Sequence, residues 1–425
     1  MRRLLWRRIE VLSELFVSAA AVLWRRLMFR TTFIAITGSA GKSTATACLG
    51  SILSAHAPTN WLPGGRNSLS MRILLNTRFR HRFTVIEAGS DAPGMLRRAA
   101  WMMAPDVVVV LGVLHIHSNV FPTIEDVAAE KAQLSSRLGK RGTLVLNADD
   151  SRVLAMGDRS PAPIRTFGVS PASFVVADQI SAEWPGRLTF RVRCGNEAAR
   201  VETNFPGEQL LSSVLDAITT AICCGVPLRE CVAAIKNVEP VLGRMYPMHL
   251  ANGACIIRDE FNANLPSLVA GLDFLGRARA SRRIVLVGDV LDTGLTARPR
   301  ARDLAARVAK VADLAVFLGR DGRLAAKTAV QAGMAEAAVR SYEDLREAAG
   351  FLKSELRQGD LVLSSGWQGR HVERVVLSQI GDIACWVERC RIIRPCEMCG
   401  ELKFGSVSAA LNHLNSGFWI LTSEF

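Results

Sequence analysis

The residues with the clearest chemical capability are Thr37-Gly38-Ser39-Ala40-Gly41-Lys42-Ser43-Thr44, set between a short apolar run and a helix-like pattern. Gly38 and Gly41 allow backbone N–H groups to turn toward an anion, and a helix opening at Lys42 presents its positive end there. Lys42 adds a full charge, and the Ser43 hydroxyl can ligate Mg2+. A full Walker loop has its first glycine at position 36, which is isoleucine here, so this is a shortened Gly-x-x-Gly-Lys-Ser form. Glu87 closes the apolar run Val85-Ile86, where a strand-end carboxylate is placed to hold the same Mg2+ directly or through water. His115 and His117 follow a third apolar run and could reach a metal or a phosphate. Lys131 lies within a helical stretch, where a solvated lysine is the ordinary reading.

Positioning these groups requires alternating strands and helices. Segments 82–89, 105–114 and 142–150 read as buried strands ending in polar or glycine residues, with helical stretches such as 123–138 between them. That alternation predicts an α/β fold with a central phosphate-loop-type parallel sheet and ligands at the carboxyl ends of its strands. Residues 241–248 read as a linker containing Gly243 and Pro247. Strand-like runs at 255–264, 282–290, 312–320 and 359–367 predict a second, smaller Rossmann-like α/β domain. The expected organisation is a basic amphipathic helix over 1–32, an ATP-binding central domain over 33–240, a second α/β domain over 241–380 and a cysteine-containing appendix over 381–425.

The 425 residues include 52 Lys and Arg against 39 Asp and Glu, a formal charge of +13. With only two Tyr and no basic run of nucleic-acid type, that excess points to phosphorylated metabolites and away from a polynucleotide. Ten cysteines, Cys223 and Cys224 adjacent among them, do not suggest a secreted disulfide framework, and a reducing cytoplasm is the simpler expectation. Near the N-terminus Leu5, Ile9, Leu12, Phe16, Ala19, Leu23 and Leu27 recur at helical spacing, flanked by arginines. The longest charge-free run there, Leu15 to Trp24, falls short of the ~20 residues a spanning helix needs. The helix reads either as an attachment to an anionic bilayer surface or as an element packed on its own domain.

In this order, the short loop, the strand-end glutamate, the histidines and the helical lysine resemble the Mur ligases, most closely their MurF branch. Further motifs carry the resemblance: Leu144-Val145-Leu146-Asn147-Ala148-Asp149-Asp150, Gly243-Arg244-Met245, and the stretch from Asp259 through Asn264 to Leu268. It extends over about residues 33–376. What it implies is an ATP-dependent ligase that joins a carboxylate to an amine through an acyl phosphate. By the same resemblance, Gly38, Ser39, Ala40, Gly41, Lys42, Ser43 and Thr44 would bind ATP phosphates. Ser43, Glu87 and His117 would hold Mg2+, with Lys131 as a carbamylated lysine bridging to metal. Asp259, Asn262 and Asn264 are inherited candidates for base and ribose. Lys42, His117, Lys131 and Arg244 are the implied catalytic set, with Lys42, Arg244 and Mg2+ stabilising charge on the transferring phosphoryl group.

The sequence departs from the family mostly where substrate would be met. About 32 residues precede the first strand, so the expected N-terminal grip on a UDP-sugar is missing. Leu111-Gly112 stands for the family's Thr-Asn, leaving either His115 or His117 as the metal-facing imidazole. Gly207-Glu208-Gln209-Leu210 stands for Gly-Arg-His-Asn, and Ser365-Gly366-Trp367 for Lys-Gly-Ser. The expectation is a retained ligase acting on a non-standard cell-envelope or secondary-metabolite substrate. Two alternatives stay open: a peptidoglycan precursor ligase whose missing domain is a partner subunit, and an inactive nucleotide-binding scaffold at the membrane. Small-molecule carboxylate and amine or amino-acid substrates are expected, with no nucleic acid. Location is expected to be cytoplasmic, with peripheral contact at the inner face of the plasma membrane through the N-terminal helix. Cys385, Cys390, Cys396 and Cys399 could hold Zn2+, with His413 as a further candidate ligand.

Overall fold

The computed structural model describes residues 18–402 apart from 65, 66, 117, 262, 290–296, 388, 389 and 391–394. His117, Asn262, His413 and the first part of the N-terminal helix therefore lie outside the described residues. The chain divides into two compact units, Met1–Val241 and Leu242–Phe425.

In the first unit nine strands form one sheet. They are β1 (Thr32–Thr37), β2 (Thr59–Trp61), β3 (Phe83–Glu87), β4 (Val107–Val110), β5 (Thr143–Asn147), β6 (Ile164–Gly168), β7 (Val175–Ser181), β8 (Thr189–Cys194) and β9 (Glu197–Glu202). Their order is β2-β3-β1-β4-β5-β6-β7-β8-β9. Pairing is parallel as far as β7, as the alternation predicts. Apolar residues occupy both faces because helices cover both. Phe33, Ala35, Val108, Val110, Leu144 and Leu146 share a core with Leu96, Ala100, Val127 and Leu134. On the other face Ile34, Ile36 and Val109 are equally buried. The largely buried helices Lys42–His56 and Leu211–Cys223 pack against each other.

The parallel reading does not extend to β8 and β9, which continue the sheet antiparallel. Gly195, at φ +57°, turns the chain between them, a conformation that suits a residue without a Cβ. Residues 18–27 are helical. Arg25 ties that helix to the carbonyls of Met103 and Ala104 and to Asp106, and the Trp24 indole donates to the Thr77 carbonyl. The helix thus packs on its own unit while leaving Leu23 and Leu27 exposed, together with nearby Phe29. No helix among the described residues is long and apolar enough to cross a membrane.

The second unit is again α/β, with β10 (Tyr246–His249), β11 (Cys255–Asp259), β12 (Arg282–Val287), β13 (Leu314–Leu318), β14 (Val339–Tyr342) and β15 (Asp360–Ser365). The order is β10-β11-β15-β12-β13-β14, with only β10 antiparallel to its neighbour. The segment read as a linker therefore contains an edge strand, where Pro247 is tolerated because an edge strand has one side free of ladder hydrogen bonds. Past β15, Ile383, Cys396 and Leu402 pack on Leu377.

Candidate active site

β1 lies between β3 and β4; the chain runs from β1 to β2 on one side and from β3 to β4 on the other, which opens a crevice at the carboxyl ends of β1 and β3. Register places Ile36 beside Glu87 and Thr37 beside Val110, which brings the loop after β1, the last residue of β3 and the loop after β4 together. Gly41 adopts φ +81°, and a Cβ there would stand 2.6 Å from the Ser213 hydroxyl. Both facts require glycine where the helix begins. Ser213 in turn donates to the Gly41 carbonyl at 3.0 Å, fixing the turn from the neighbouring helix. The loop is also pinned from β4: the Ser39 amide donates to the Gly112 carbonyl at 2.9 Å, and the Leu114 amide to the Ser39 hydroxyl at 2.9 Å. Ala40 is exposed at the tip, and Thr44 is buried in the first helical turn.

Within this cradle the Lys42 ammonium folds back onto the Gly38 carbonyl at 2.8 Å. The Ser43 hydroxyl donates to Glu87 Oε2 at 3.0 Å, and the Gly64 amide donates to the same oxygen at 3.0 Å. Ser43 and Glu87 are both buried, so a hydroxyl and a carboxylate converge at a helix N-terminus. That oxygen pair suits a hard divalent cation that keeps some of its water.

Lys131 is not the solvated lysine of the ordinary reading; it is only 3% exposed. It lies in the last turn of the helix Ile124–Ala132, which starts at a Thr123–Asp126 capping box. Burial, and next the positive charge of Lys42, bring its pKa down to about 7, against the opposing pull of Glu130. Glu130, which the sequence reading passed over, accepts from the Ser90 hydroxyl and the Gly94 and Leu96 amides at 3.0, 2.7 and 2.9 Å. It thereby anchors the start of the helix Met95–Met103. The adjacent charged pair Glu130-Lys131 within an alanine-rich helix was the available signal.

Two residues of the Asn147–Asp150 motif act on the same loops. Asn147 donates to the Leu111 carbonyl at 2.7 Å and Asp150 accepts from the Val113 amide at 2.8 Å, supporting the segment that grips Ser39. His115 bonds the Phe121 carbonyl at 3.3 Å through Nε2. One turn after Ser213, Asp216 is fully buried, and burial pushes its carboxyl up to about 8 although Oδ1 accepts the Thr220 hydroxyl.

In the second unit Asp259 ends β11 and accepts from the Met245 amide at 3.2 Å. Burial raises its pKa to about 7 despite the Arg244 charge. The Arg244 guanidinium lies over the Phe261 ring, 5.1 Å from its centroid. Asn264 caps the helix Leu265–Arg277, its side-chain oxygen accepting from the Ser267 amide at 3.0 Å.

The four C-terminal cysteines do not themselves gather at metal-ligand spacing. Among the described residues the group that does is His371, Glu373 and Cys396. A turn at Cys396–Met398 buries Cys396 against the helix Glu373–Leu377, whereas Cys385, Cys390 and Cys399 line an adjoining cavity. None of the ten cysteines, all within the described residues, is joined in a disulfide.

Comparison with known proteins agrees with this architecture. The model of the Mur ligase middle domain matches residues 36–221, and that of the Mur ligase glutamate ligase domain matches residues 243–367. The UDP-N-acetylmuramoyl-tripeptide--D-alanyl-D-alanine ligase of Mycobacterium tuberculosis is 27% identical over 398 residues, covering 88% of this chain and 78% of its own. The Escherichia coli protein of that name is 26% identical over 279 residues, covering 64% and 60%. In fold, the chain is similar to MurF from Acinetobacter baumannii, with a TM-score of 0.78 at 23% identity over 86% of this chain and 80% of that one. It is also similar to a MurF ligase from Thermotoga maritima in complex with ADP, with a TM-score of 0.72 at 20% identity over 85% and 82%.

Proposed function

The chain belongs to the Mur ligase family, whose members are ATP-dependent amide ligases, and from that premise we propose that it activates a non-standard carboxylate of cell-envelope or secondary-metabolite assembly as an acyl phosphate and couples it to an amine. The observation that supports this most directly is the meeting of Lys42, Ser43 and Glu87 at the carboxyl ends of β1 and β3. Mg2+ and ATP fit those residues. The loop amides and Lys42 would receive the phosphates, while Ser43 and Glu87 would offer oxygens to the ion. Mg2+ supplies charge neutralisation as the γ-phosphoryl group moves to the carboxylate. The chain's own work is to hold the phosphates in place and keep positive charge around them.

Lys131 belongs in the same reading. An amine with a pKa near 7 is about half neutral at neutral pH, against roughly one part in several thousand for an ordinary lysine. The neutral form is the one that adds CO2. As a carbamate, Lys131 would offset the Lys42 charge and offer oxygen to a cation. The substrate assignment rests on Ser365-Gly366-Trp367 and Gly207-Glu208-Gln209-Leu210, which replace charged and polar family residues.

The test is ADP and phosphate release on a panel of carboxylates and amines, with Lys42→Ala as control. Turnover that depends on both partners and is lost in the variant supports the proposal. Turnover confined to the UDP-muramoyl tripeptide overturns the substrate assignment, and nucleotide binding with no turnover across the panel identifies a scaffold.

A membrane-facing role has its own support in the first unit. Leu23, Leu27, Phe29 and Phe79 expose apolar side chains, and Arg26, Arg30, Arg78 and Arg80 accompany them in sequence. That combination suits an anionic bilayer surface. Co-sedimentation with anionic but not neutral vesicles, lost in Leu23→Glu/Phe79→Glu, is the expected result; equal recovery from both vesicle types overturns it.

A further inference from the structure

His371, Glu373 and Cys396 form a second chemical centre, in the unit that follows Val241, which the ligase reading leaves without a task. Their ligand atoms lie within 4.8 Å of one another and all three residues are buried. His371 Nδ1 stands 2.8 Å from Glu373 Oε1 and 3.3 Å from the Cys396 sulfur. The remaining polar atoms of the pair, His371 Nε2 and Glu373 Oε2, are buried with no hydrogen-bond partner. Leaving two such atoms dry and unpaired is unfavourable, so a missing partner is the expected explanation. His371 also holds φ +50°, a left-handed conformation that a residue with a Cβ seldom adopts without a constraint.

The charges around the group point the same way. Arg374 donates to the Cys396 sulfur at 3.4 Å. Arg258 pairs with Glu260 at 2.6 Å and with Glu397, the residue after Cys396. Glu260 and Glu397 each keep one buried oxygen without a partner. Three further thiols, Cys385, Cys390 and Cys399, line the cavity beside the group with His371 and Cys396.

We propose that His371, Glu373 and Cys396 bind a structural Zn2+, with the fourth position filled by a thiol from the adjoining cavity. A mixed imidazole, carboxylate and thiolate set is the donor chemistry that zinc takes in tetrahedral sites, and it disfavours Mg2+ and Ca2+, which take oxygen. The ion would join the segment around Cys396 to the helix Glu373–Leu377, where the packing is a small cluster of Leu377, Ile383, Cys396 and Leu402. A segment with so little core is one that a metal can staple.

The experiment is metal analysis of the full chain, purified without chelator and freed of any affinity tag. The expected result is about one zinc per chain, falling at least tenfold in Cys396→Ser and in His371→Ala but unchanged in Cys194→Ser. A second measurement needs no variant. Replacing zinc with Co2+ in the wild-type chain should give a thiolate-to-cobalt charge-transfer band and the visible spectrum of a tetrahedral site. Absence of zinc both as purified and after incubation with equimolar Zn2+ overturns the proposal, as does full zinc retention in Cys396→Ser. Iron with acid-labile sulfide in place of zinc overturns it in favour of a cluster.

Discussion

Asp216 offers a prediction whose size can be worked out. Its carboxyl is fully buried in the helix Leu211–Cys223, one turn from the Ser213 hydroxyl that fixes Gly41, and its pKa is pushed from the ordinary 3.8 up to about 8. The folded state therefore keeps a proton that the unfolded chain releases. Stability must fall as pH rises between those two values, by about 1.4 kcal/mol per pH unit. Asp216→Asn removes the titration but keeps the shape and an oxygen for the Thr220 hydroxyl. Its unpaired amide adds a cost that is constant with pH. Hydrogen exchange of the 211–223 amides, compared between wild type and variant at each pH, cancels the intrinsic chemistry of exchange. From pH 5 to pH 7 the variant should gain about 2.7 kcal/mol relative to wild type, close to a hundredfold in relative protection. A ratio that stays flat over that range would show that Asp216 is ionised in the folded protein, and the reasoning from burial would fail.

Other outcomes follow from the same geometry. Gly41→Ala should weaken Mg-ATP binding roughly tenfold by calorimetry, since it strains the φ +81° turn and meets Ser213; wild-type affinity would refute the tight-turn argument. Glu87→Gln preserves shape but removes charge, so Mg2+ dependence should shift to roughly tenfold higher ion concentration while metal-free nucleotide binding is unchanged. Lys131→Ala should abolish turnover, with partial return in high concentrations of a short carboxylate, and undiminished turnover removes the carbamate from the mechanism. Because the Lys42 charge lowers the Lys131 pKa, Lys42→Ala should raise it and reduce the carbamate signal from labelled bicarbonate in carbon NMR at pH 7.

Much of the first unit could be read from its sequence because a strand buried on both faces must be apolar throughout, and Val107–Val110 or Phe33–Ile36 can be little else. The meeting of Ser43 with Glu87 was legible for the same reason: both follow strands, and parallel strands end on one side. The antiparallel β8 and β9 were not, since their half-exposed residues lack a continuous apolar run. Neither was the burial of Lys131, because a lysine among alanines looks alike whether its helix face meets water or a core. Asn264 fits two accounts at once, a ligand contact carried over from a family and a helix cap visible in its own hydrogen bonds. The cysteines misled by proximity in sequence. Cys396 has its partners more than twenty residues upstream, and only the fold brings His371 and Glu373 to it.

The Ser43–Glu87 hydrogen bond has a consequence for the order in which ligands arrive. A cation seated between these two oxygens would first have to turn the Ser43 hydroxyl so that its proton no longer joins them, and compete with the Gly64 amide for the carboxylate. Such charge-assisted bonds contribute about 1.5–3 kcal/mol each, so a bare ion meets a closed latch. An ion that comes already attached to a triphosphate brings the loop amides and the helix end into play in the same event. If Ser43 and Glu87 hold the ion as proposed, the latch would discriminate against idle occupancy and make ion and nucleotide enter as one body.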